Sequence, residues 1–273
     1  MKNFKLFSLV LTAVIISIAG CKTKDDPTPD PKGCILTQAT VDGDKLTFEY
    51  DSQGRHVKTN YYDGADLDEY VQIIYKSSTQ VEVKWFGAGD VQPNETIVYT
   101  LSNGMATSSV SADTYTNAGI TYTSTQTTTY ERNSDGFLTK ETESTLVTTN
   151  KPSVQPQTTT ATTIYNYSGG NVSSKTYTSG TSTFITSYEY YTDKPASDAS
   201  LGLDLAFLAT KPNKNLLKKE TEVGTYPGGS NTYAYNYTYE FNSAGSITKM
   251  TQTGGQSGTT PSATIILLLY TCN

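Results

Sequence analysis

An all-β domain is the fold class that the sequence predicts, built as an antiparallel up-and-down meander of strands that curls into a barrel or near-barrel. Three observations predict it. Side chains alternate with a period of two over many segments, a hairpin-type turn recurs along the chain, and only one short segment has the character of a helix. A β-sandwich of two sheets is the alternative architecture.

The strands are indicated by aromatic residues that alternate with small or polar ones. The pattern is clearest in Tyr233–Phe241, where five aromatic residues fall on one face of the predicted strand. It recurs in Leu46–Tyr50, Val81–Trp85 and Ile164–Tyr167. One buried and one wet face is typical of antiparallel sheets. The chain also contains 21 tyrosines, 8 phenylalanines and long threonine runs, a composition that favours strands over helices.

The turns are indicated by an Asp or Asn that is followed three residues later by Gly. Copies lie within Phe48–Lys58, Tyr130–Lys140 and Tyr239–Lys249. The Asp or Asn side chain can accept hydrogen bonds from its own turn, and Gly supplies a positive φ, so each copy predicts a hairpin tip. Their irregular spacing argues against a strict solenoid or propeller. The repeat resembles the tyrosine-aspartate repeats of bacterial surface and toxin shells, where it is likewise a β-hairpin module.

Closure of the sheet is predicted from Cys34 and Cys272, which open and end the β domain. In an oxidising cell envelope this pair is expected to form a disulfide, which would place the first and last strands side by side. Two independently buried thiols are the alternative. The last segment, Thr264–Tyr270, is apolar at nearly every position and predicts a strand that is covered on both faces.

One short helix or apolar loop segment is expected near residues 199–210. Ser197 or Asp198 can cap the start of a helix over Leu201–Ala209, and Pro212 would stop it. A buried loop or a strand is the alternative for this segment.

The first twenty residues predict a signal peptide. Lys2 and Lys5 precede an apolar run that is too short to span a bilayer comfortably. The segment Ile18–Cys21 resembles a lipobox, in which small residues fit the lipoprotein signal peptidase and the cysteine thiol receives the lipid. We therefore predict lipidation at Cys21 and anchoring by several acyl chains.

Residues 21–33 are predicted to be a lipidated linker, and residues 34–273 a single β domain. Prolines at every second position of Pro27–Pro31 favour an extended spacer. The cluster Lys24–Asp26 is similar to the acidic export signal that sends Bacteroidota lipoproteins across the outer membrane. The expected location is therefore the outer membrane, lipid-anchored at the cell surface, with a periplasm-facing lipoprotein and a plain charged linker as the alternative.

A second resemblance covers most of the chain. The order of an aromatic strand at Tyr188–Lys194, a short apolar segment at Leu201–Ala209 and an Asn-rich exit at Lys211–Leu217 resembles a Bacteroidota lipoprotein family of unknown function with a porin-like fold. The resemblance implies a porin-like β fold and no assigned activity.

Charge and composition limit the partners. Removal of residues 1–20 takes away two lysines and no acid, which leaves 18 basic and 26 acidic residues and a net charge of −8. Nucleic acid is therefore not an expected partner. Contact with the membrane is expected through the lipid anchor only, and a glycan or an envelope protein is the candidate partner.

A transmembrane porin is disfavoured, because most strands alternate aromatic residues with Thr, Glu, Lys or Asn.

No catalytic, cofactor or metal site is predicted from the motifs. His56 is the single histidine and is expected on the wet face of its strand, without a partner for nucleophilic catalysis. The acidic stretch Asp63–Glu69 lacks the spacing of an EF-hand loop and is expected to be a solvated turn. Trp85 and Phe86 are the candidate ligand-stacking residues. The sequence thus predicts a non-catalytic binding or scaffolding domain of an envelope lipoprotein, with a carbohydrate- or apolar-ligand-binding module and a glycoside hydrolase as alternatives.

Overall fold

The computed structural model describes residues 34–196, 213–243 and 245–272, which form one antiparallel sheet of sixteen strands that closes on itself. The strands are β1 (Cys34–Val41), β2 (Asp44–Tyr50), β3 (His56–Asp63), β4 (Asp66–Ser77), β5 (Gln80–Gly87), β6 (Glu95–Ser102), β7 (Met105–Asn117), β8 (Ile120–Arg132), β9 (Leu138–Thr149), β10 (Gln157–Ser168), β11 (Asn171–Ser179), β12 (Ser182–Pro195), β13 (Asn215–Tyr226), β14 (Gly229–Phe241), β15 (Ile247–Gln256) and β16 (Ser262–Cys272).

Each strand pairs with its neighbours in sequence, and β1 closes the barrel against β16. The predicted up-and-down barrel is confirmed, and the β-sandwich alternative is wrong. The helix or loop that was expected near residues 199–210 lies outside the described residues. The part of the chain that the structure describes contains no helix long and apolar enough to cross a membrane.

The two ends of the barrel differ in what they carry. We call the end at which Cys34 enters β1 the proximal end; it also holds the turns after every even-numbered strand up to β14. The distal end holds the turns after the odd-numbered strands. Because residues 21–33 precede β1, the linker joins the barrel at the proximal end.

The three predicted turns are confirmed, and all lie at the proximal end. Asp51 Oδ1 accepts hydrogen bonds from the backbone N–H groups of Gln53 and Arg55, both at 2.9 Å. Asn133 Oδ1 accepts from the N–H of Phe137 at 3.0 Å, and Asn242 Oδ1 from that of Ser246 at 2.9 Å. The glycine in each turn has a φ of 75°, 84° or 85°. These φ values lie in the left-handed region, where a Cβ is unfavourable.

A β-bulge after the first of these turns corrects the expectation for His56. The register between β2 and β3 shifts by one residue at this point. Lys58 lies opposite Glu49, and His56 lies opposite Tyr50, so Val57 is the extra residue of the bulge. His56 therefore turns inward and packs against Phe48 and Tyr50, with ring centroids 5.8 and 5.7 Å away. Burial lowers the pKa of the His56 imidazole. The prediction of a wet-face histidine is wrong because a simple alternation ignores the bulge.

The barrel interior is filled by apolar side chains over much of its height. One buried cluster includes Leu36, Leu138, Val172, Leu216 and Ile247, each within three residues of a strand end at the proximal end. A second cluster, which includes Val71, Val81, Val83 and Leu101, covers the inner face of β4–β6. We call these two clusters together the plug. They supply the hydrophobic stabilisation that a hollow barrel would lack.

The outer face of the barrel is mostly polar. On β8 it carries a threonine at every second position over Thr121–Thr129, and the cross-strand partners of these threonines on β7 and β9 are Thr or Ser at most positions and Val110, Ala112 and Leu146 at the others. Near the proximal end, four cross-strand ion pairs with N···O distances of 2.7 to 3.5 Å face outward. They are Glu49–Lys58, Glu131–Lys140, Glu189–Lys219 and Glu240–Lys249.

The final strand, β16, carries three exposed apolar side chains on the outer face, where β7, β9, β10, β12 and β13 carry one each, namely Val110, Leu146, Ile164, Ile185 and Val223. Ile265, Leu267 and Leu269 are 41%, 47% and 57% exposed, while Ile266 and Leu268 between them are buried. The expectation that this strand is covered on both faces is therefore wrong: its inner residues belong to the plug, and its outer residues contact solvent.

Candidate functional site

The inner face of the long strands changes character towards the distal end. Strands β7–β10 and β12–β14 have 12 to 14 residues, against 7 or 8 for β1–β3. Beyond the plug their inner face carries polar and aromatic side chains that are half-buried or exposed. This lining, the inner face of β11 between these strands and the inner face of β4–β6 at the same end form what we call the cup. Seven carboxylates lie on its inner face: Glu69, Glu95, Asp113, Glu141, Glu143, Glu220 and Glu222.

The floor of the cup is a buried hydrogen-bonded chain directly above the plug. Gln252 Nε2 donates to the hydroxyl of Tyr237 at 2.9 Å, and that hydroxyl donates to Glu220 Oε2 at 3.5 Å. Glu220 is only 6% exposed. Its burial, with a contribution from the nearby Glu222, raises the pKa of the Glu220 carboxyl to about 7, and the ammonium of Lys175 acts in the opposite direction. Glu220 is thus a carboxylic acid that is partly protonated at neutral pH.

A second buried carboxyl group lies across β11 from the first. The hydroxyl of Tyr165 donates to Glu141, and burial raises the pKa of the Glu141 carboxyl. Lys175 lies opposite both Tyr165 on β10 and Thr186 on β12, and it interacts electrostatically with Glu141 and Glu220. The floor therefore holds one ammonium group between two carboxyl groups.

The wall beside the floor carries an aromatic ring that lies over a glycine of the neighbouring strand. Phe184 is the direct partner of Gly224 on β13, and a Cβ at Gly224 would lie 2.7 and 2.8 Å from two atoms of its ring. Only a glycine leaves room for the ring in this position. Tyr177 lies beside it on β11, with ring centroids 6.1 Å apart. Phe184 is on the inner face of the barrel and is half-buried.

A polar row lies next to this ring on the same inner face. Lys175, Thr186, Glu222 and Tyr233 are consecutive cross-strand partners on β11 to β14. Thr186 Oγ1 donates to Glu222 Oε2 at 3.3 Å. Thr186 comes two residues after Phe184, and Glu222 comes two residues before Gly224 on the antiparallel neighbouring strand. The polar row therefore runs beside the Tyr177–Phe184 pair, about 7 Å away along the strands. We call Phe184, Tyr177 and this polar row the wall patch.

The two candidate stacking residues from the sequence lie on opposite faces of β5. Trp85 pairs with Val71 of the plug and faces inward, where its ring stacks with that of Tyr61 at a centroid distance of 6.3 Å. Phe86 faces outward and stacks on Tyr70 at 4.7 Å. Trp85 thus belongs to the cup wall and Phe86 does not, so the two rings do not form one platform.

Sequence reasoning missed the wall patch because its members come from four strands. Phe184 and Gly224 are 40 residues apart, and the intervening segment gives no signal that they are neighbours. The i, i+2 spacing of Glu220 and Glu222 is visible in the sequence, but their inward direction follows from the barrel register.

Among the described residues, no group of three His, Cys, Asp or Glu side chains has an arrangement that could hold a metal ion.

Solved structures that are similar to this chain include two porin-like proteins of low sequence identity. A porin-like protein from Bacteroides vulgatus ATCC 8482 superposes with a TM-score of 0.56 at 14% identity, over 87% of this chain and 99% of that chain. A porin-like protein from Bacteroides uniformis ATCC 8492 gives a TM-score of 0.52 at 16% identity, over 86% of this chain and 98% of that chain. The chain has a porin-like β fold. No family model matches, and no curated protein matches. The porin-like barrel thus confirms the fold expected from the resemblance.

Proposed function

We propose that the protein is a lipoprotein of the outer membrane, anchored through Cys21, whose barrel stands in water and binds a small polar ligand in the distal cup without catalysis. The observation that carries this proposal is the division of the interior. Apolar side chains fill the proximal part, while carboxyl, hydroxyl and aromatic groups line the distal part.

The position of the linker sets the direction in which the cup opens. Residues 21–33 join β1 at the proximal end, and the cup lies at the distal end. A barrel tethered through Cys21 therefore presents its cup away from the membrane. The plug closes the side nearest the lipid, so the barrel offers a blind cup and not a channel.

The outer wall supports a barrel that stands outside the bilayer. Membrane-spanning barrels carry an apolar band about 25 Å tall on the lipid-facing side. Here the outer face of β8 is a row of threonines, and ion pairs such as Glu131–Lys140 and Glu240–Lys249 face outward. Insertion would transfer these charged groups into hydrocarbon, which is costly.

Anchoring and binding are tested separately. Replacement of Cys21 by Ser should release the protein from the membrane fraction, and unchanged retention would contradict the anchor.

For the cup, residues 21–273 carrying Cys21→Ser are screened by thermal shift against sugars, amines and apolar compounds. We expect polar compounds to raise Tm, with the effect lost in Glu222→Gln and kept in the matched outer-wall control Glu240→Gln. Stabilisation by apolar compounds alone would overturn the polar cup.

A glycoside hydrolase is the second candidate function, favoured by one specific observation. Glu220 and Glu222 lie two residues apart on the same inner face of β13, and burial raises the pKa of Glu220 to about 7, as in a general acid. Against it, Glu220 is 6% exposed and its carboxyl group contacts Tyr237, so a glycosidic oxygen has little access to it. Reducing-end assays on bound oligosaccharides separate the candidates: binding without cleavage supports the module, and cleavage that Glu220→Gln abolishes supports the hydrolase.

A further inference from the structure

We infer that the wall patch binds one ring of an oligosaccharide that carries no acidic group, with the sugar stacked on Phe184 and its hydroxyl groups on the polar row. This inference rests on the proposed function and names the ligand class for the cup.

The first argument is the geometry of Phe184. Its ring lies on the backbone of β13 at Gly224, in a place that a side chain at position 224 would occupy. The side chain is on the inner face of the cup and is half-buried, so part of the ring is accessible. An accessible ring that is held against a strand suits the C–H groups of a sugar, since aromatic rings combine apolar contact area with few rotatable bonds.

The second argument is the chemistry of the adjacent row. Glu222 accepts hydrogen bonds, Lys175 donates them, and the hydroxyl group of Tyr233 does both. Thr186 is buried and does not reach a ligand; its hydroxyl group donates to Glu222 and so holds that carboxylate in place. These groups follow one another on neighbouring strands, so they are spaced about 5 Å apart across the sheet. An aromatic face beside such a row matches a sugar ring, which has an apolar face and a polar edge. An apolar ligand would take Lys175, Glu222 and Tyr233 out of contact with water and offer them no hydrogen bond, which is unfavourable.

The third argument concerns charge. The inner face of the cup carries seven carboxyl groups, and Lys175 is the basic residue of the wall patch. An oligosaccharide with uronic acid, sulfate or sialic acid groups would be repelled on entry. The same field accepts neutral and amine-bearing sugars, so the cup distinguishes glycans by charge as well as by shape.

The test is a printed array of neutral, amine-bearing and acidic glycans, probed with residues 21–273 carrying Cys21→Ser. We expect binding to neutral or amine-bearing glycans and at least tenfold weaker binding to their acidic counterparts. A blank array, or binding to acidic glycans of equal strength, overturns the inference. If the array is blank but amines still stabilise the protein in a Glu222-dependent manner, the proposed binding cup stands and the sugar assignment alone fails.

Variants locate the binding site, with calorimetry on the best neutral glycan from the array. Phe184→Ala should weaken affinity at least tenfold, while Phe184→Tyr, which keeps the ring, should retain it. Gly224→Ala should also weaken binding, because the added Cβ displaces the ring. Phe241→Ala is the matched control, since Phe241 is 42% exposed at the proximal end. Equal affinity of Phe184→Ala and wild type, with circular dichroism showing both folded, would place binding elsewhere and overturn the inference.

Discussion

The hydroxyl group of Tyr190 on β12 donates a hydrogen bond to the carbonyl oxygen of Val172 on β11 at 2.8 Å. The same relationship joins an even-numbered strand to the start of the odd-numbered strand before it in four further hairpins. They are Tyr50 to Leu36 at 2.9 Å, Tyr75 to His56 at 3.3 Å, Tyr167 to Leu138 at 2.8 Å and Tyr239 to Leu217 at 2.9 Å. In the β7–β8 hairpin Arg132 donates instead, to the carbonyl of Ala106. Six of the eight hairpins are thus closed at the proximal end by a long side chain.

Removal of one such hydroxyl group should destabilise the barrel measurably. Tyr190→Phe leaves the carbonyl of the buried Val172 without this donor, and an unsatisfied buried polar group costs about 1–3 kcal/mol. We expect urea unfolding of the variant to give a free energy of unfolding lower by that amount. Tyr115→Phe is the control, because Tyr115 is 50% exposed at the distal end and should change stability by less than about 0.5 kcal/mol. Equal free energies of unfolding for the two variants would contradict a structural role for the hydrogen bond from Tyr190 to Val172.

The repeated unit explains which parts of the fold were predictable. Alternation in Tyr233–Phe241 and the Asp- or Asn-led turns at Asp51, Asn133 and Asn242 are local signals, and the strands and hairpins that they predict are present. Local signals also predict neighbouring strands in a meander. They do not give the number of strands or the plug, because these depend on how all hairpins close together.

The cup was less predictable, since its residues meet only across strands. A bulge at Val57 reverses the direction of His56, and no local pattern reports it. Trp85 was identified as an aromatic candidate and does line the cup, but the partner expected beside it, Phe86, lies on the outer face. The neighbour of Phe184 that matters is Gly224, and its importance is the absence of a side chain. Such a feature is invisible until the strand register is known.

The stability of the domain should fall as pH rises through the neutral range. Burial raises the pKa of Glu220 from 4.5 to about 7, so the folded state holds this proton more tightly than the unfolded state. The contribution of this proton to the free energy of unfolding is therefore complete below about pH 4.5 and is lost as the pH rises to 7 and above. The upper limit of this stabilisation is about 3.5 kcal/mol, at about 1.4 kcal/mol for each pKa unit. Urea unfolding between pH 4 and 9 measures it.

Glu220→Gln is the variant that isolates this contribution. An amide keeps the size of the side chain and cannot ionise, so the variant should lose much of the decrease in stability between pH 5 and pH 8. The control is Glu240→Gln, because the Glu240 side chain is 65% exposed on the outer wall and pairs with Lys249. A pH profile of Glu220→Gln that matches wild type would show that other groups cause the dependence.

Surface display should depend on the acidic residues of the linker. Asp25 and Asp26 form the acidic part of the segment that is similar to an export signal of surface lipoproteins. Replacement of both by Ala should keep the protein in the membrane fraction and reduce its cleavage by protease added to intact cells. Replacement of Asp63 and Asp66, at the tip of the β3–β4 hairpin, is the control for lost charge. Unchanged cleavage of the linker variant would leave Asp25 and Asp26 as ordinary spacer residues.

The closure of the barrel predicts a disulfide between Cys34 and Cys272. The register of β1 and β16 places these two residues directly opposite each other. Opposed residues in an antiparallel pair have Cα atoms about 4.5–5.5 Å apart, within the range that a disulfide spans. A bridge that closes so long a loop contributes roughly 5 kcal/mol in the chain-entropy model, with smaller values common in practice.

Thiol titration of the denatured, unreduced Cys21→Ser protein should find no free thiol, and reduction should lower Tm while far-UV circular dichroism stays unchanged. The double variant Cys34→Ser with Cys272→Ser should have the Tm of the reduced protein. Two free thiols in protein purified from the envelope would rule out the bridge and leave closure to the backbone hydrogen bonds between β1 and β16 alone.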